Sequence, residues 1–144
     1  MGERAAYTRL RNGISLPGDR IDRIENITGS GFPDTNCCIN GIEFWVEIKA
    51  PTEPRRSTTA LFGSNHKVSA DQANWFLRQK RAGGIGYIYI ETDLRCFLID
   101  GCRFADTVNT LTVGELEDVS LWAAKRNVKK ADWLDLRSVL GLYG

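Results

Sequence analysis

From Thr35 to Lys49 apolar and polar positions alternate, and the alternation is interrupted once, by Asn40-Gly41. That dipeptide is the strongest short turn signal in the chain, because a type I′ turn needs two successive residues that tolerate positive φ. With Asn40 and Gly41 as the loop, Ile39 pairs with Ile42, and counting outward sets Asp34 opposite Glu47. Side chains alternate across a strand, so Thr35, Cys37, Ile39, Ile42, Phe44, Val46 and Ile48 share one face, the expected core. The other face gathers Asp34, Asn36, Cys38, Glu43, Trp45, Glu47 and Lys49.

The flanking segments predict an α/β arrangement. Glu3 to Arg11 reads as a short amphipathic helix with Ala6, Leu10 and Tyr7 on one side, ended by Gly13, Pro17 and Gly18. Ile21, Ile24 and Ile27 recur every third residue, which fits neither period; a strand is expected over Arg23 to Thr28. Ala50 to Val68 is a connection rich in Pro, Ser, Thr and Gly, longer than usual and expected to be mobile or functional, with Arg55 and Arg56 at its tip. Ser69 is the expected N-cap of a helix running to about Arg81, with Ala70, Ala73, Phe76, Leu77 and Lys80 along one side and Gly83-Gly84 as its stop. Gly86 to Glu91 and Arg95 to Asp100 are apolar, aromatic and β-branched runs that predict two strands around Thr92-Asp93-Leu94. Thr112 to Leu142 is helical in pattern, through Leu116, Val119 and Trp122 and then Trp133, Leu136, Val139 and Leu140.

A chain of 144 residues with 42% hydrophobic residues predicts one domain, 1–144, with a core over about 20–101 and a helical extension over about 112–142. A charged fraction of 26% and a net charge of +1 describe a globular chain, so any nucleic-acid contact must come from a local patch. No stretch reads as a signal peptide or a membrane span, and a cytoplasmic protein is expected. The four cysteines form no CxxC pair, which predicts reduced thiols rather than a zinc site, and the single histidine, His66, rules out motifs built on two histidines.

The polar face of the hairpin is where chemistry is expected. Two carboxylates about 5 Å apart repel by roughly 3 kcal/mol at an effective dielectric near 20, so unpaired they serve no structural purpose. A divalent cation reverses the sign of that interaction. Hard Mg²⁺ is typically held by one or two carboxylates, with water and phosphate oxygens completing its shell. Asp34 and Glu47 are the candidate ligands, with the backbone carbonyl of Ile48 between Glu47 and Lys49 as a third. Lys49 projects from the same face, where its ammonium can orient a water or stabilise charge on a phosphate. The competing reading is a solvated Glu47–Lys49 pair with Asp34 capping a turn; the PD dipeptide ahead of the hairpin, together with register and facial segregation, favours chemistry.

Gly31-Phe32-Pro33-Asp34, then Glu47-Ile48-Lys49-Ala50-Pro51, then Ser69 with Gln72, resemble the motifs of the PD-(D/E)XK nuclease superfamily, with most likeness to its VRR-NUC and phage Holliday-junction-resolvase-like branches. The resemblance spans about Arg23 to Asp100. It implies a restriction-endonuclease-like fold, a central mixed sheet flanked by helices with extra C-terminal helices. It also implies Mg²⁺ or Mn²⁺ at Asp34 and Glu47, Lys49 as the catalytic lysine, and a role near the site for Gln72. Gln72 either bonds a phosphate or a water there, or merely caps its helix. Relatives usually add an upstream acid, for which Glu3 and Glu25 are the candidates. Gly84-Ile85-Gly86-Tyr87-Ile88 superficially resembles the GIY-YIG motif, but the two halves are absent at proper spacing and a buried strand is expected.

Between Glu53 and Arg81 six basic residues face two acidic ones, an excess of +4 suited to phosphates. Arg55, Arg56, Lys67 and Ser30 are the candidate DNA contacts, while Arg78, Lys80 and Arg81 are equally well explained as a solvated helix face. Trp45 either stacks on a base or packs under a helix. The resemblance implies an endonuclease acting on branched DNA as a homodimer, in a phage or its host's cytoplasm. The alternatives are a nuclease with a nicking, flap or restriction-type target, or a catalytically silent DNA-binding module of the same fold.

Overall fold

The computed structural model describes residues 2–24, 31–63 and 66–142. Its framework is a six-stranded sheet in sequence order, β1 (Arg20–Arg23), β2 (Thr35–Ile39), β3 (Ile42–Lys49), β4 (Gly86–Glu91), β5 (Arg95–Asp100) and β6 (Trp122–Lys125). The β3–β4 pair is parallel and the others are antiparallel, so the sheet is mixed. Helices α1 (Glu3–Ile14) and α5 (Lys130–Val139) cover one face; α2 (Ala70–Arg81), α3 (Gly101–Phe104) and α4 (Val113–Val119) cover the other. A parallel pair needs a crossover, and α2 supplies it. None of the described helices is long and apolar enough to cross a membrane.

The hairpin forms in the expected register. Asn40 and Gly41 take φ of 53° and 77°, and Thr35 pairs with Val46 through to Ile39 with Ile42. Thr35, Cys37, Ile39, Phe44, Val46 and Ile48 are buried, and the apolar members join a core with Ala6, Leu10 and Leu136 from α1 and α5. On the opposite face Phe76, Ile88, Ile90, Phe97, Ile99 and Leu116 form a second core. Strands β4 and β5 contribute to both, which accounts for their unbroken apolar runs.

Several expectations are corrected. Helix α1 passes through Gly13 to Ile14, because the Trp133 ring fills the space beside Gly13 and Ile14 is buried under α5. The first strand is Arg20–Arg23 rather than Arg23 to Thr28, whose last four residues lie outside the described ones. It is an edge strand with Ile21 alone buried, and its charged neighbours guard the open edge. On α2 the buried side carries Phe76 with Gln72, Ala73, Trp75 and Gln79 half-buried, whereas Ala70, Leu77 and Lys80 are exposed. The C-terminal part is not wholly helical: the Ser120 hydroxyl donates to the Leu116 carbonyl at 2.7 Å and ends α4, and Trp122 begins β6. Trp122 then stacks on Trp133 of α5, with ring centroids 5.9 Å apart. Val139, assigned to the packing side of the last helix, is exposed.

The connection from Ala50 to Val68 is anchored where it is described. Leu61, Phe62 and Val68 are buried, and the Asn109 side chain bonds both backbone groups of Val68 at 2.8 Å. Glu53 accepts from Arg95 and Thr92.

Arg137 ties the last helix to the first. Its guanidinium donates to the Ile14 carbonyl at 2.6 Å and to Asp19 Oδ2 at 2.9 Å, and both charged side chains are all but sealed from solvent, 4% and 6% exposed. Removing one member strands the other in the interior. Arg137→Met is therefore expected to cost about 3–5 kcal/mol in urea unfolding, and Arg137→Met with Asp19→Leu to recover most of it; a double variant as unstable as the single would exclude the pairing as the cause.

Candidate active site

The segment before β2 carries Asp34 to the end of β3, and its backbone N–H donates to Glu47 Oε1 at 3.3 Å. The sequence-predicted juxtaposition of Asp34 with Glu47 is thus present. Glu47 and Lys49 point from β3 towards α2, and both are buried at 4% and 6% exposure. The register turns even-numbered residues of β3 towards β2 and odd-numbered ones towards β4, as the bond from Trp45 N to the Ile85 carbonyl records. Both backbone groups of Ile48 therefore face the end of β2, where its N–H bonds the Asp34 carboxylate.

Gln72 joins the three elements. Its Oε1 accepts from Ser69 N at 3.0 Å, completing the capping box of α2, and from Lys49 Nζ at 3.3 Å; its Nε2 donates to Glu47 Oε2 at 3.0 Å. Gln72 thus caps its helix and bonds Glu47 and Lys49 with the same amide. Lys49 Nζ also lies 3.3 Å from Glu47 Oε2 and donates to the Lys67 carbonyl at 3.2 Å. Three donors thus meet three acceptors.

Burial raises the Asp34 carboxyl to about 6; bonds from the Thr35 hydroxyl and the Ile48 N–H and the charge of Arg23 act downward, that of Glu3 upward. Burial raises Glu47 to about 7, Asp34 and Glu3 add to the rise, and Lys49 opposes it. The Asp34 carboxylate thus disfavours the charge of Glu47, a condition that a cation relieves. The candidate donors are all hard oxygens, the Asp34 and Glu47 carboxylates and the Ile48 carbonyl, a set that would fit Mg²⁺. Among the described residues no three His, Cys, Asp or Glu side chains are gathered tightly enough for an all-protein metal cage.

Of the two upstream acids, Glu3 opens α1 and its charge reaches both carboxylates, while Glu25 lies outside the described residues, as does Ser30. Arg55 and Arg56 are exposed on a bend of the connection, ahead of its buried Leu61 and Phe62. Lys67 meets the site through its carbonyl, and its side chain is exposed. Trp45 is half-buried edge-on to Phe32 and Trp75, so it packs under α2. The Thr35 hydroxyl, 3.1 Å from Asp34 Oδ1, was missed because its strand position assigns it to the core. All four cysteines are free.

No family model and no curated protein matches this sequence. Among solved structures the chain is similar to Hjc of Archaeoglobus fulgidus, a Holliday junction resolvase from an archaeal hyperthermophile, with a TM-score of 0.52 and 13% identity over 80% of this chain and 87% of that one. At that identity the likeness is one of fold, and the α/β architecture of a mixed sheet flanked by helices is restriction-endonuclease-like.

Because both carboxyl groups hold protons more tightly folded than unfolded, the folded chain binds more protons between about pH 4 and 7, and stability falls as pH rises through that window. Without metal, the melting temperature is expected to drop from pH 5 to pH 8, and Asp34→Asn to flatten the drop. An equal slope in the variant would exclude a raised Asp34 carboxyl as a source of the drop.

Proposed function

We propose that this chain is a divalent-metal-dependent endonuclease of the PD-(D/E)XK type, nearest to its junction-resolving and VRR-NUC-like branches, hydrolysing phosphodiester bonds of branched DNA. The observation that carries the reading is the half-buried Asp34 beside the buried Glu47, with Lys49 bridged to Glu47 by Gln72. A fold has little use for such a pair without a cation. Fold likeness to a Holliday junction resolvase supports the choice of substrate class.

In this reading Asp34, Glu47 and the Ile48 carbonyl hold Mg²⁺ or Mn²⁺, with Glu3 as the upstream acid. The bound ion supplies charge neutralisation between the carboxylates and Lewis acidity at the phosphate. Lys49 is held by Gln72 and the Lys67 carbonyl with its ammonium beside Glu47, placed to stabilise negative charge developing on the phosphate. Gln72 fixes Lys49 relative to Glu47, so the phosphate meets a preset positive charge rather than a flexible one. Arg55 and Arg56 contact the DNA backbone, and a homodimer presents two such sites to the two strands of a junction.

The test compares wild type with Asp34→Asn on a four-way junction, a flap, a duplex and a single strand, with Mg²⁺ or Mn²⁺. Wild type is expected to cut the junction selectively and the variant to lose cutting while staying folded; millimolar metal should raise the melting temperature of wild type only. DNA binding without cutting by wild type would replace the nuclease reading with a binding module. Gln72→Ala is expected to slow cleavage by about 10–100-fold through misplacement of Lys49, and an unchanged rate would reduce Gln72 to a helix cap.

A further inference from the structure

Val68 stands between two backbone groups that hold the candidate active site. On one side of it in sequence, the Lys67 carbonyl accepts from Lys49 Nζ at 3.2 Å. On the other, the Ser69 N–H donates to Gln72 Oε1 at 3.0 Å, and the Gln72 amide in turn bonds Lys49 and Glu47. Lys49 is buried, so the Lys67 carbonyl, Gln72 and Glu47 stand in for the water its ammonium has given up. Where that ammonium lies therefore depends on the direction in which two peptide groups point, the one joining Lys67 to Val68 and the one joining Val68 to Ser69.

A trans peptide group is planar, and its C=O and N–H point in opposite directions. Fixing the N–H of Val68 thus aims the carbonyl of Lys67, and fixing the carbonyl of Val68 aims the N–H of Ser69. One side chain takes both Val68 groups. Asn109 Oδ1 accepts from the Val68 N–H and Asn109 Nδ2 donates to the Val68 carbonyl, each at 2.8 Å. A carboxamide carries an acceptor and a donor on one planar fork, which is what such a pair needs. Asn109 grips Val68 from the side away from Lys49, and among the described residues its hydrogen bonds go to Val68 alone.

The grip has a firm base. Asn109 lies in the short helical turn Val108–Thr110, and Val108 is buried in the second core with Leu61, Phe62 and Val68. The next residue, Leu111, accepts from Leu61 N–H through its carbonyl at 2.9 Å, so the same stretch holds the connection at a second point. Burial of Leu61, Phe62 and Val68 already keeps the connection against the sheet. Apolar burial is non-directional, however, and leaves the rotation of a peptide plane open. The paired bonds from Asn109 supply the direction.

We propose that Asn109 is a positioning residue of the candidate active site, clamping Val68 so that the Lys67 carbonyl meets Lys49 and the Ser69 N–H meets Gln72. Its consequence for cleavage rests on the nuclease reading, in which Lys49 faces the phosphate; the clamp itself does not.

The test reads the Lys49 ammonium by nitrogen–proton correlation NMR of lysine side chains, in metal-free protein without DNA. Lys49 is buried whereas Lys67, Lys80, Lys125, Lys129 and Lys130 are exposed, so Lys49 is expected to give the slowly exchanging ammonium signal, assigned by its loss in Lys49→Arg. Asn109→Leu, close in size but without the amide, is expected to lose that signal to solvent exchange. Asn109→Asp keeps the acceptor for the Val68 N–H but not the donor to its carbonyl, and carries the same comparison if the leucine variant fails to fold. Leu61→Ala loosens the connection through packing alone and is expected to lower the melting temperature while the signal stays. A signal unchanged in the folded Asn109 variant, equally disturbed in Leu61→Ala, or missing from wild type would overturn the clamp. In single-turnover cutting of a four-way junction with Mg²⁺, the Asn109 variant is expected to be about 10–100-fold slower at unchanged junction affinity, and a wild-type rate would overturn the positioning role. A wild type that cuts nothing would end the nuclease reading, while the NMR comparison would still decide the clamp.

Discussion

Two residues of positive φ, Asn40 and Gly41, decide which face every side chain of the central hairpin takes. A slip of one position would send Phe44, Val46 and Ile48 to the α2 side and Glu47 and Lys49 beneath α1. Burying each of those three apolar side chains is worth about 1.5–3 kcal/mol, against roughly 3 kcal/mol of repulsion between the two carboxylates at their expected spacing. The apolar face therefore holds the register. The polar face accepts a strained pair as the consequence, and the candidate chemistry sits where that strain is.

The ends of the parallel strands then organise the charge. On the α2 side Glu47 is held by an amide and an ammonium; on the α1 side Glu91 is held by two guanidiniums and a phenol. The first arrangement is compact and has the Asp34 carboxyl beside it, which disfavours full ionisation. The second sets two guanidiniums against one carboxylate. One end of the sheet thus offers a pair of acids on one face and a pair of bases on the other, separated by the thickness of β3 and β4.

What could be read from sequence followed from locality. The Asn40-Gly41 turn, the capping box at Ser69 and the strands Gly86–Glu91 and Arg95–Asp100 carry their signals within a few residues. Strand β6 has no such signal: Trp122 continues an i, i+3 series from Leu116 and Val119, and only pairing with Leu98 and stacking on Trp133 make it a strand. The end of α1 was hidden for a like reason, since Gly13 reads as a stop until the Trp133 ring is seen against it. At the site, register alone placed Asp34 by Glu47. The Lys67 carbonyl that holds Lys49 has no signature because any residue would supply it, and the Arg9–Glu91 contact joins positions too far apart for any local pattern.

Gln72 closes the first turn of α2 and spans Lys49 and Glu47 with the same amide. Helix ends are where local opening is least costly, and a terminus usually frays without effect on the rest of a protein. Here that freedom is removed: each time the first turn of α2 unwinds, Lys49 and Glu47 lose their common tether. The resting order of one helix end thereby sets the fraction of molecules in which the site is assembled, and sequence changes that only tighten or loosen that turn act on the site from outside it.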